Sequence, residues 1–344
     1  MSPLLSVENL TVDLQVSGTP RTVLRDVSFS VQEGQTVGLV GESGSGKSMT
    51  VRAVSRLLPD GARVSGRIRF ADQEVLDLRG SALRRYRASD VAMIFQDPRA
   101  YTNPLRRIGD FLTESMVIND RVPRRRAERT AAGLLEEVGI PDPERRMRQY
   151  PHELSGGLLQ RVMIAAAVAA RPRLVLADEP TTALDVTTQA EVMRILIRMQ
   201  REYGMAMMLI THDLDLAASV CDETIVLYAG EVVETQPTRS LHDDPLHPYT
   251  AALMQARPEI HQRAERLLAI PGSPTTAYEA PPGCSFAPRC RFAQDVCRTE
   301  TPPIVPVGAG ASRCLFAEEL RGTLLDPLAP DAPEHLLPAT AEVE

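Results

Sequence analysis

The segment Gly41-Glu42-Ser43-Gly44-Ser45-Gly46-Lys47-Ser48 matches the pattern G-x-x-x-x-G-K-[ST]. It follows a short apolar run at residues 37–40 and precedes a segment from Met49 with helical character. In this arrangement the glycines let the backbone wrap around a phosphate chain, and the helix N-terminus directs N–H groups at it. The ammonium of Lys47 would reach the β- and γ-phosphates, and the hydroxyl of Ser48 would bind Mg²⁺. The segment therefore predicts a site for a nucleoside triphosphate.

Lysine usage singles out one position of this segment. The chain contains 38 lysine and arginine residues, and Lys47 is its only lysine. Arginine therefore serves wherever a general positive charge is needed. An ammonium is a compact charge on a flexible stem, whereas a guanidinium is a rigid planar fork. We expect position 47 to be a place where only the compact charge fits.

Further apolar runs predict the fold around the loop. Residues 91–95, 174–177 and 207–210 are short, nearly continuous apolar segments, as expected for parallel strands that are buried on both faces. The first 30 residues and residues 62–76 alternate apolar and polar positions, which is typical of a smaller antiparallel sheet. The predicted fold class is α/β, a P-loop NTPase core with a mostly parallel sheet, an antiparallel β subdomain and a helical subdomain at about residues 97–165.

Two acids end the apolar run at 174–177. Asp178 is suited to hold Mg²⁺ through water, and Glu179 is suited to orient and polarise an attacking water. A hydrophobic run that ends in Asp-Glu is commonplace by itself. It gains weight from the loop at residues 41–48, because phosphoryl transfer depends chiefly on positioning and charge neutralisation.

A third segment links these residues to a known family. Leu154-Ser155-Gly156-Gly157-Leu158, called here the signature segment, resembles the signature sequence of the ATP-binding-cassette (ABC) ATPases. The resemblance implies that this segment faces the γ-phosphate bound by a second subunit, so that two ATP molecules lie between two such domains. The family usually has glutamine at the fifth position, where this chain has Leu158.

The resemblance assigns roles to further residues. It implies that Gln96 senses Mg²⁺, that His212 contacts the γ-phosphate, and that Asp185 belongs to a loop across the dimer interface. Glu179, His212 and Gln96 are then the catalytic residues, and Ser48, Gln96 and Asp178 the Mg²⁺ ligands. The full set of expected nucleotide-binding residues is Gly41, Ser43, Gly44, Ser45, Gly46, Lys47, Ser48, Met49, Gln96, Asp178 and His212. The family's adenine-stacking aromatic is missing, since the corresponding region offers Leu14 and Val16.

Motifs in the second half resemble the dipeptide and oligopeptide importer ATPases. They include Pro151-His152-Glu153, His247-Pro248-Tyr249-Thr250, and residues 270–274. The His-Pro-Tyr-Thr segment is equally compatible with a helix that starts with proline at its first position. The resemblance implies ATP hydrolysis that drives uptake of peptides or a related small solute at the cytoplasmic face of the cell membrane. The implied partners are two transmembrane permease subunits, a second ABC ATPase subunit (a paralogue), and an extracytoplasmic substrate-binding protein.

Composition and length limit the alternatives. The longest apolar run, at residues 162–170, is too short to span a membrane, and the Arg124–126 run is expected to be a solvated helix face with no role in binding nucleic acid. An ABC-superfamily ATPase of DNA repair or translation is the alternative. It would carry a coiled-coil insertion or a second cassette, and neither is present. A non-catalytic subunit is disfavoured because Lys47 and the acids are all there.

Four of the five cysteines fall within 31 residues with the spacing C-x₅-C-x₆-C-x₁₆-C: Cys284, Cys290, Cys297 and Cys314. A reducing compartment disfavours disulfides, and a metal would hold together a proline-rich segment with few apolar residues. Zinc sites usually pair cysteines two to four residues apart, so the wider spacing favours a [4Fe-4S] cluster over Zn²⁺ or free thiols. The importer resemblance points the same way. We expect a nucleotide-binding domain over 1–255, a cysteine-rich domain over 256–317, and an acidic, disordered tail over 318–344.

Overall fold

The computed structural model describes residues 2–182, 184–256 and 270–326. The described strands are β1 Leu5–Val16, β2 Thr19–Val31, β3 Thr36–Val40, β4 Arg63–Phe70, β5 Gln73–Glu74, β6 Val91–Ile94, β7 Leu174–Asp178, β8 Ala206–Thr211, β9 Glu223–Tyr228, β10 Glu231–Pro237, β11 Val305–Val307 and β12 Gly310–Ser312. The described α-helices are α1 Lys47–Val54, α2 Gly80–Arg85, α3 Ile108–Ile118, α4 Arg124–Glu137, α5 Pro143–Met147, α6 Gly156–Ala169, α7 Val186–Tyr203, α8 Leu214–Val220, α9 Thr238–Asp243, α10 Pro248–Gln255, α11 Asp295–Thr299 and α12 Ala317–Leu320.

The main sheet has the strand order β11-β12-β10-β9-β3-β8-β7-β6. Its pairs from β9 to β6 are parallel, and every residue of β3, β7 and β8 is buried. Alternate side chains of β7 enter two different clusters, with Leu174 and Leu176 on one face and Val175 and Ala177 on the other. This burial on both faces explains the continuous apolar runs. The predicted α/β fold with a mostly parallel core is confirmed.

The predicted antiparallel sheet is also present, with the order β2-β1-β4-β5. Its buried residues, such as Leu5 and Leu10, share a hydrophobic cluster with Val37 and Leu39 of β3 and with Val51 of α1. The opposite face of the main sheet packs against α6 and α7 through Val162 and Leu196, among others. The main sheet is therefore the middle layer of the core, and the small antiparallel sheet closes the side that carries α1.

The predicted helical stretch contains α3 to α6. In α4, Ala127, Ala131, Leu134 and Leu135 form the buried face, as helical spacing requires. Arg124, in the first turn, is exposed and forms ion pairs with Asp110 and Glu128. The three arginines at 124–126 are thus solvent-exposed at the start of an amphipathic helix.

Residues 270–326, called here the C-terminal region, extend the main sheet. Strand β12 pairs with β10 through Glu234↔Ser312, so this region shares the sheet of the nucleotide-binding core. The predicted boundary after residue 255 coincides with the end of α10, and residues 257–269 lie outside the described ranges. The first residues of the predicted tail include most of α12 and the buried Leu324. Residues 327–344 of the predicted tail lie outside the described residues.

The His-Pro-Tyr-Thr segment begins α10. The Nδ1 atom of His247 accepts a hydrogen bond from the Tyr249 amide, and Pro248 occupies the first helical position. The buried carboxylate of Glu234 accepts hydrogen bonds from the amides of Leu246 and His247. The segment therefore starts a helix with proline at its first position, as the alternative interpretation predicted. Its hydrogen bonds with the Tyr249 amide and with Glu234 satisfy the polar groups of the buried histidine.

Acid should weaken the fold through His247. Burial lowers the pKa of this imidazole to about 3 from the ordinary 6.5. A depressed pKa means that His247 contributes stability fully above pH 6.5, and that this contribution is lost as pH falls towards 3. Asparagine can replace the cap without titrating. We predict that the advantage of the wild type over His247→Asn in urea unfolding shrinks by about 2 kcal/mol between pH 7.5 and pH 5.

The matched control is His242→Asn, since His242 is exposed on α9. Glu234 titrates in all these proteins, so its effect cancels in the comparison. A wild-type advantage over His247→Asn that stays constant with pH would contradict a neutral buried imidazole.

Candidate active site

The loop between β3 and α1 is shaped by glycine backbone. Gly46 has φ 107°, and a Cβ there would lie 2.6 Å from the side chain of Leu24. Gly41 has φ 152°, and a Cβ there would overlap the carbonyl oxygen of Leu227. Both positions therefore need glycine, because a side chain would be strained as well as in collision. The result is a tight loop that lies against the middle of β2 and the end of β9.

Lys47 is the first residue of α1, and its side chain folds back into the loop. Its Nζ donates hydrogen bonds to the carbonyl oxygens of Gly41 at 2.7 Å and Glu42 at 3.0 Å. Burial lowers the pKa of Lys47, and the nearby carboxylates of Glu179, Asp178 and Glu42 oppose that shift. The only lysine of the chain is thus a buried ammonium surrounded by oxygen atoms, as the compact charge of lysine allows.

Ser48 and Asp178 meet at the end of β7. The Ser48 Oγ donates to the Asp178 Oδ1 at 3.0 Å. Burial raises the pKa of Asp178, and the hydrogen bond from Ser48 opposes the rise. In the described residues, no group of three or more His, Cys, Asp or Glu side chains is arranged to hold a metal ion. A hydroxyl beside one carboxylate still suits Mg²⁺, which uses few protein ligands and takes the rest from water and substrate phosphates.

Glu179 is the centre of a polar cluster. Its Oε2 accepts hydrogen bonds from the Gln96 Nε2 at 3.0 Å and the Thr182 Oγ1 at 2.8 Å. The His212 Nδ1 lies 3.6 Å from Oε1, which is a contact too long for a hydrogen bond. Glu179 also has a positive φ of 45°, while its amide donates to the carbonyl of Ile210. The three residues expected to be catalytic therefore lie together, and Thr182 joins them.

One open cavity contains most of the expected nucleotide-binding residues. Those that line it, together with the catalytic candidate Glu179, are Ser43, Gly44, Gly46, Lys47, Ser48, Met49, Gln96 and His212. Gly41, Ser45 and Asp178 lie just behind this surface, since Gly41 and Asp178 bond to Lys47 and Ser48 and Ser45 is buried. The cavity walls also include Val23 and parts of residues 274–278, which sequence reasoning missed.

The signature segment lies elsewhere. None of its five residues lines the cavity of Lys47. Ser155 caps α6 and accepts a hydrogen bond from the Leu158 amide. A Cβ on Gly157 would come within 2.6 Å of a Thr188 methyl, and Thr188 in turn bonds to Asp185, the cap of α7. The N-terminal ends of α6, which starts at the signature segment, and of α7, which starts after Asp185, therefore pack against each other. Ala183 lies outside the described residues.

The C-terminal region reaches the phosphate loop through Glu42. Arg289 donates to both carboxylate oxygens of Glu42, at 2.7 and 3.1 Å. The hydroxyl of Tyr249, from the His-Pro-Tyr-Thr segment, accepts a hydrogen bond from the Glu42 amide at 2.8 Å. The only sequence signal for these contacts was the resemblance of residues 247–250 and 270–274 to importer ATPases, because the partners lie about 200 residues apart.

The four clustered cysteines line one shared cavity. All carry free thiols. Burial raises the pKa of Cys284 and Cys290, and that of Cys314 to about 11. Cys221 lies apart, where its sulfur packs under Gly38 of β3. The structure thus places Cys221 apart from the other four cysteines, as the sequence spacing predicted.

A glycine-rich loop with a buried lysine, a serine–aspartate pair and a facing glutamate define an ATPase of the P-loop class. Family models agree with this class and narrow it. An ABC transporter model matches residues 24–182, and a model for the oligopeptide/dipeptide transporter C-terminal region matches residues 233–297. The chain therefore belongs to the ABC transporter ATPases, in the branch with the oligopeptide/dipeptide C-terminal region. In the part of the chain that the structure describes, no helix has the length and apolar character to cross a membrane.

Similar proteins cover almost the whole chain. The dipeptide transport ATP-binding protein DppD of Escherichia coli is 43% identical over 91% of this chain and 96% of its own length. The oligopeptide transport ATP-binding protein OppD of the same organism is 41% identical over 92% of this chain and 94% of its own. Among solved structures, the ATP-binding cassette MJ0796, a dimer in a post-hydrolysis state bound to ADP and Pi, has a TM-score of 0.62. It is 27% identical and covers 68% of this chain and 99% of its own.

Glu179→Gln should stop turnover and preserve ATP binding. Glutamine keeps the size of the side chain and can still accept from Gln96 and Thr182, but it cannot polarise a water as a carboxylate does. We predict a loss of ATPase activity of at least about a hundredfold, with ATP affinity within a few fold of wild type. The two readouts are phosphate release and equilibrium binding of labelled ATP.

Thr182→Val is the matched control, because it removes one hydrogen bond from Glu179 and keeps the carboxylate. It should lower turnover much less. Undiminished ATPase activity of Glu179→Gln would refute the assigned role.

Proposed function

We propose that this chain is the ATP-hydrolysing subunit of an importer for dipeptides, oligopeptides or a related small solute. The observation that carries the proposal is the union, in one fold, of an ABC cassette with the oligopeptide/dipeptide C-terminal region. The names of OppD and DppD, which align over more than nine-tenths of the chain, support the same substrate class. The chain would lie at the cytoplasmic face of the cell membrane, bound to two permease subunits and supplied by an extracytoplasmic binding protein.

The cavity residues divide the work of hydrolysis. The Lys47 ammonium donates to the carbonyls of Gly41 and Glu42. When a nucleotide binds, it would exchange these hydrogen bonds for ones to phosphate oxygens, which are stronger acceptors. Ser48 and Asp178 would hold Mg²⁺, which neutralises developing charge on the phosphates. Glu179 is placed to orient water, and Gln96 fixes its carboxylate. His212, next to Glu179, would contact the γ-phosphate.

The signature segment supports a two-subunit site. Its helix start carries free N–H groups, and its residues are absent from the chain's own cavity. We infer that Leu154 to Leu158 complete the ATP site of a second ATPase subunit, and that Asp185 orders the loop between them. In the peptide branch this partner would be a paralogue.

The function is tested with the complete transporter. The chain is expected to purify from membranes together with two permease subunits, and its ATPase activity in proteoliposomes should rise when peptide-loaded binding protein is added on the outer side. A mixture of sugars serves as the control solute. Failure to associate with any membrane subunit, or stimulation by sugars and not by peptides, would contradict the proposal.

We further propose that Cys284, Cys290, Cys297 and Cys314 bind a [4Fe-4S] cluster. The four thiols line one cavity, and their wide spacing in the sequence suits a cluster better than Zn²⁺. The backbone amides of Phe286, Phe292 and Phe316 lie near the sulfurs of Cys284, Cys290 and Cys314 and favour their thiolate forms. Burial raises the pKa of these thiols, so their ionisation needs the positive charge of a metal.

Anaerobically purified protein should be brown, with a broad absorption near 400 nm, as is typical of thiolate-bound iron–sulfur centres. Cys290→Ser should remove the colour and most of the iron. Cys221→Ser is the matched control, because Cys221 is buried under β3, away from the cavity, and its loss should leave the colour unchanged. Colourless protein with stoichiometric zinc, or with four titratable thiols and no metal, would refute the cluster.

A further inference from the structure

The nucleotide cavity has an aromatic side chain that comes from the far end of the chain. Leu14 and Val16 on β1 do not line the cavity, whereas Tyr278 of the C-terminal region does, together with Lys47, Glu179 and His212. We propose that the ring of Tyr278 stacks on the base of the bound nucleotide. The proposal rests on ATP binding at this site, and it assigns to the C-terminal region a direct contact with the nucleotide.

The ring of Tyr278 is available for stacking. It is 39% exposed, which is unusual for a large side chain in the wall of a cavity. The guanidinium of Arg21 lies over the ring, 5.6 Å from its centroid. Arg21 pairs with Leu14 across β1 and β2, so the ring stands beside the strand pair where the missing aromatic was expected. The ring face that Arg21 does not cover can stack on the flat ring system of a purine.

The backbone that carries the ring is fixed to the core. Ala277 is buried, and its carbonyl accepts a hydrogen bond from the Arg25 side chain at 3.2 Å. Gly230 leaves room for it, since a Cβ there would lie 2.7 Å from the Ala277 methyl. On the other side, the Thr275 hydroxyl bonds to the Tyr228 hydroxyl at 3.2 Å. Because its neighbours in sequence are held, the ring is pre-positioned at low entropic cost.

A buried ion pair sets the distance between the ring and the phosphate loop. The Arg289 side chain is only 4% exposed, and its fork holds the carboxylate of Glu42 within the loop. The Arg289 Nε also donates to the Pro271 carbonyl at 2.8 Å. The segment that carries Tyr278 runs between Pro271 and Arg289, so its two ends are joined at Arg289, which in turn binds Glu42 of the phosphate loop. The proposed contact with the base and the contacts with the phosphates thus come from two segments that Arg289 joins.

Stacking explains how the site can bind a base without the usual aromatic on β1. A stacked ring contributes to affinity for every base, since each has a π-face, and it discriminates little between them. The site should therefore bind ATP and GTP with similar affinity. Tyr278→Phe, which keeps the ring, should bind ATP as the wild type does.

The chain contains no tryptophan, so Tyr278→Trp introduces a single fluorescent reporter at the proposed contact. We expect MgATP and MgADP to quench its emission strongly, and magnesium tripolyphosphate, which has no base, to leave it nearly unchanged. Tyr203→Trp is the matched control, because Tyr203 ends α7 and bonds to Glu137 outside the cavity. Its emission should respond to neither ligand.

Tyr278→Ala gives a second measurement that does not depend on fluorescence. Its affinity for ATP should fall at least about fivefold, while its affinity for tripolyphosphate stays at the wild-type value. An unchanged ATP affinity, or equal losses for both ligands, would overturn the stacking and leave the ATP site intact. A wild-type protein that binds tripolyphosphate but not ATP would overturn the stacking and the proposed ATPase together.

Discussion

The parallel hydrogen-bond register of β3, β7 and β8 is the constraint on which the site depends. It sets Val40 beside Thr211 and Asp178 beside Ile210, so the chain leaves three neighbouring strands at one edge. The phosphate loop, Glu179 and His212 follow these strand ends directly and therefore meet. Because the residues of these strands are buried on both faces, a slip of register by one residue would move each side chain into the opposite hydrophobic layer and disrupt the packing of both. The catalytic geometry is thus fixed by the packing of the core.

Negative charges outnumber positive ones around the Lys47 ammonium at this edge of the sheet. One ammonium, Lys47, faces the carboxylates of Glu179, Asp178 and Glu42, and burial disfavours the charged forms of Lys47 and Asp178. Arg289 neutralises Glu42 through two hydrogen bonds. The remaining pair of acids repels a phosphate chain unless a cation accompanies it. The site is therefore built for a nucleotide that arrives with its Mg²⁺, and Ser48 and Asp178 lie where that cation is needed.

The sequence predicted what is encoded in contiguous segments. The phosphate loop, the paired acids, the signature segment and the parallel strands each have a local pattern, and the structure places them as that pattern indicates. Tyr278 and Arg289 were missed because their meaning comes from contacts with Arg21 and Glu42, more than 240 residues away. No periodicity or spacing encodes such a pairing. The short strands β11 and β12 were missed for the same reason, since they become strands only by extending the edge of β10.

The contact between Arg289 and Glu42 also changes how the cysteines relate to ATP. Sequence reasoning treated them as a separate structural unit, because nothing connected them with hydrolysis. In the fold, Arg289 directly precedes Cys290, and the Ser285 hydroxyl next to Cys284 donates to the buried Glu231 at 2.7 Å. Burial disfavours the charge of Arg289, but hydrogen bonds to Glu42 and Tyr228 raise its pKa and keep it charged. Removing Glu42 would leave the buried guanidinium of Arg289 without its carboxylate partner. Because Arg289 and Cys290 are adjacent in the chain, the position of the four-cysteine cavity is linked to that of Arg289 on the phosphate loop.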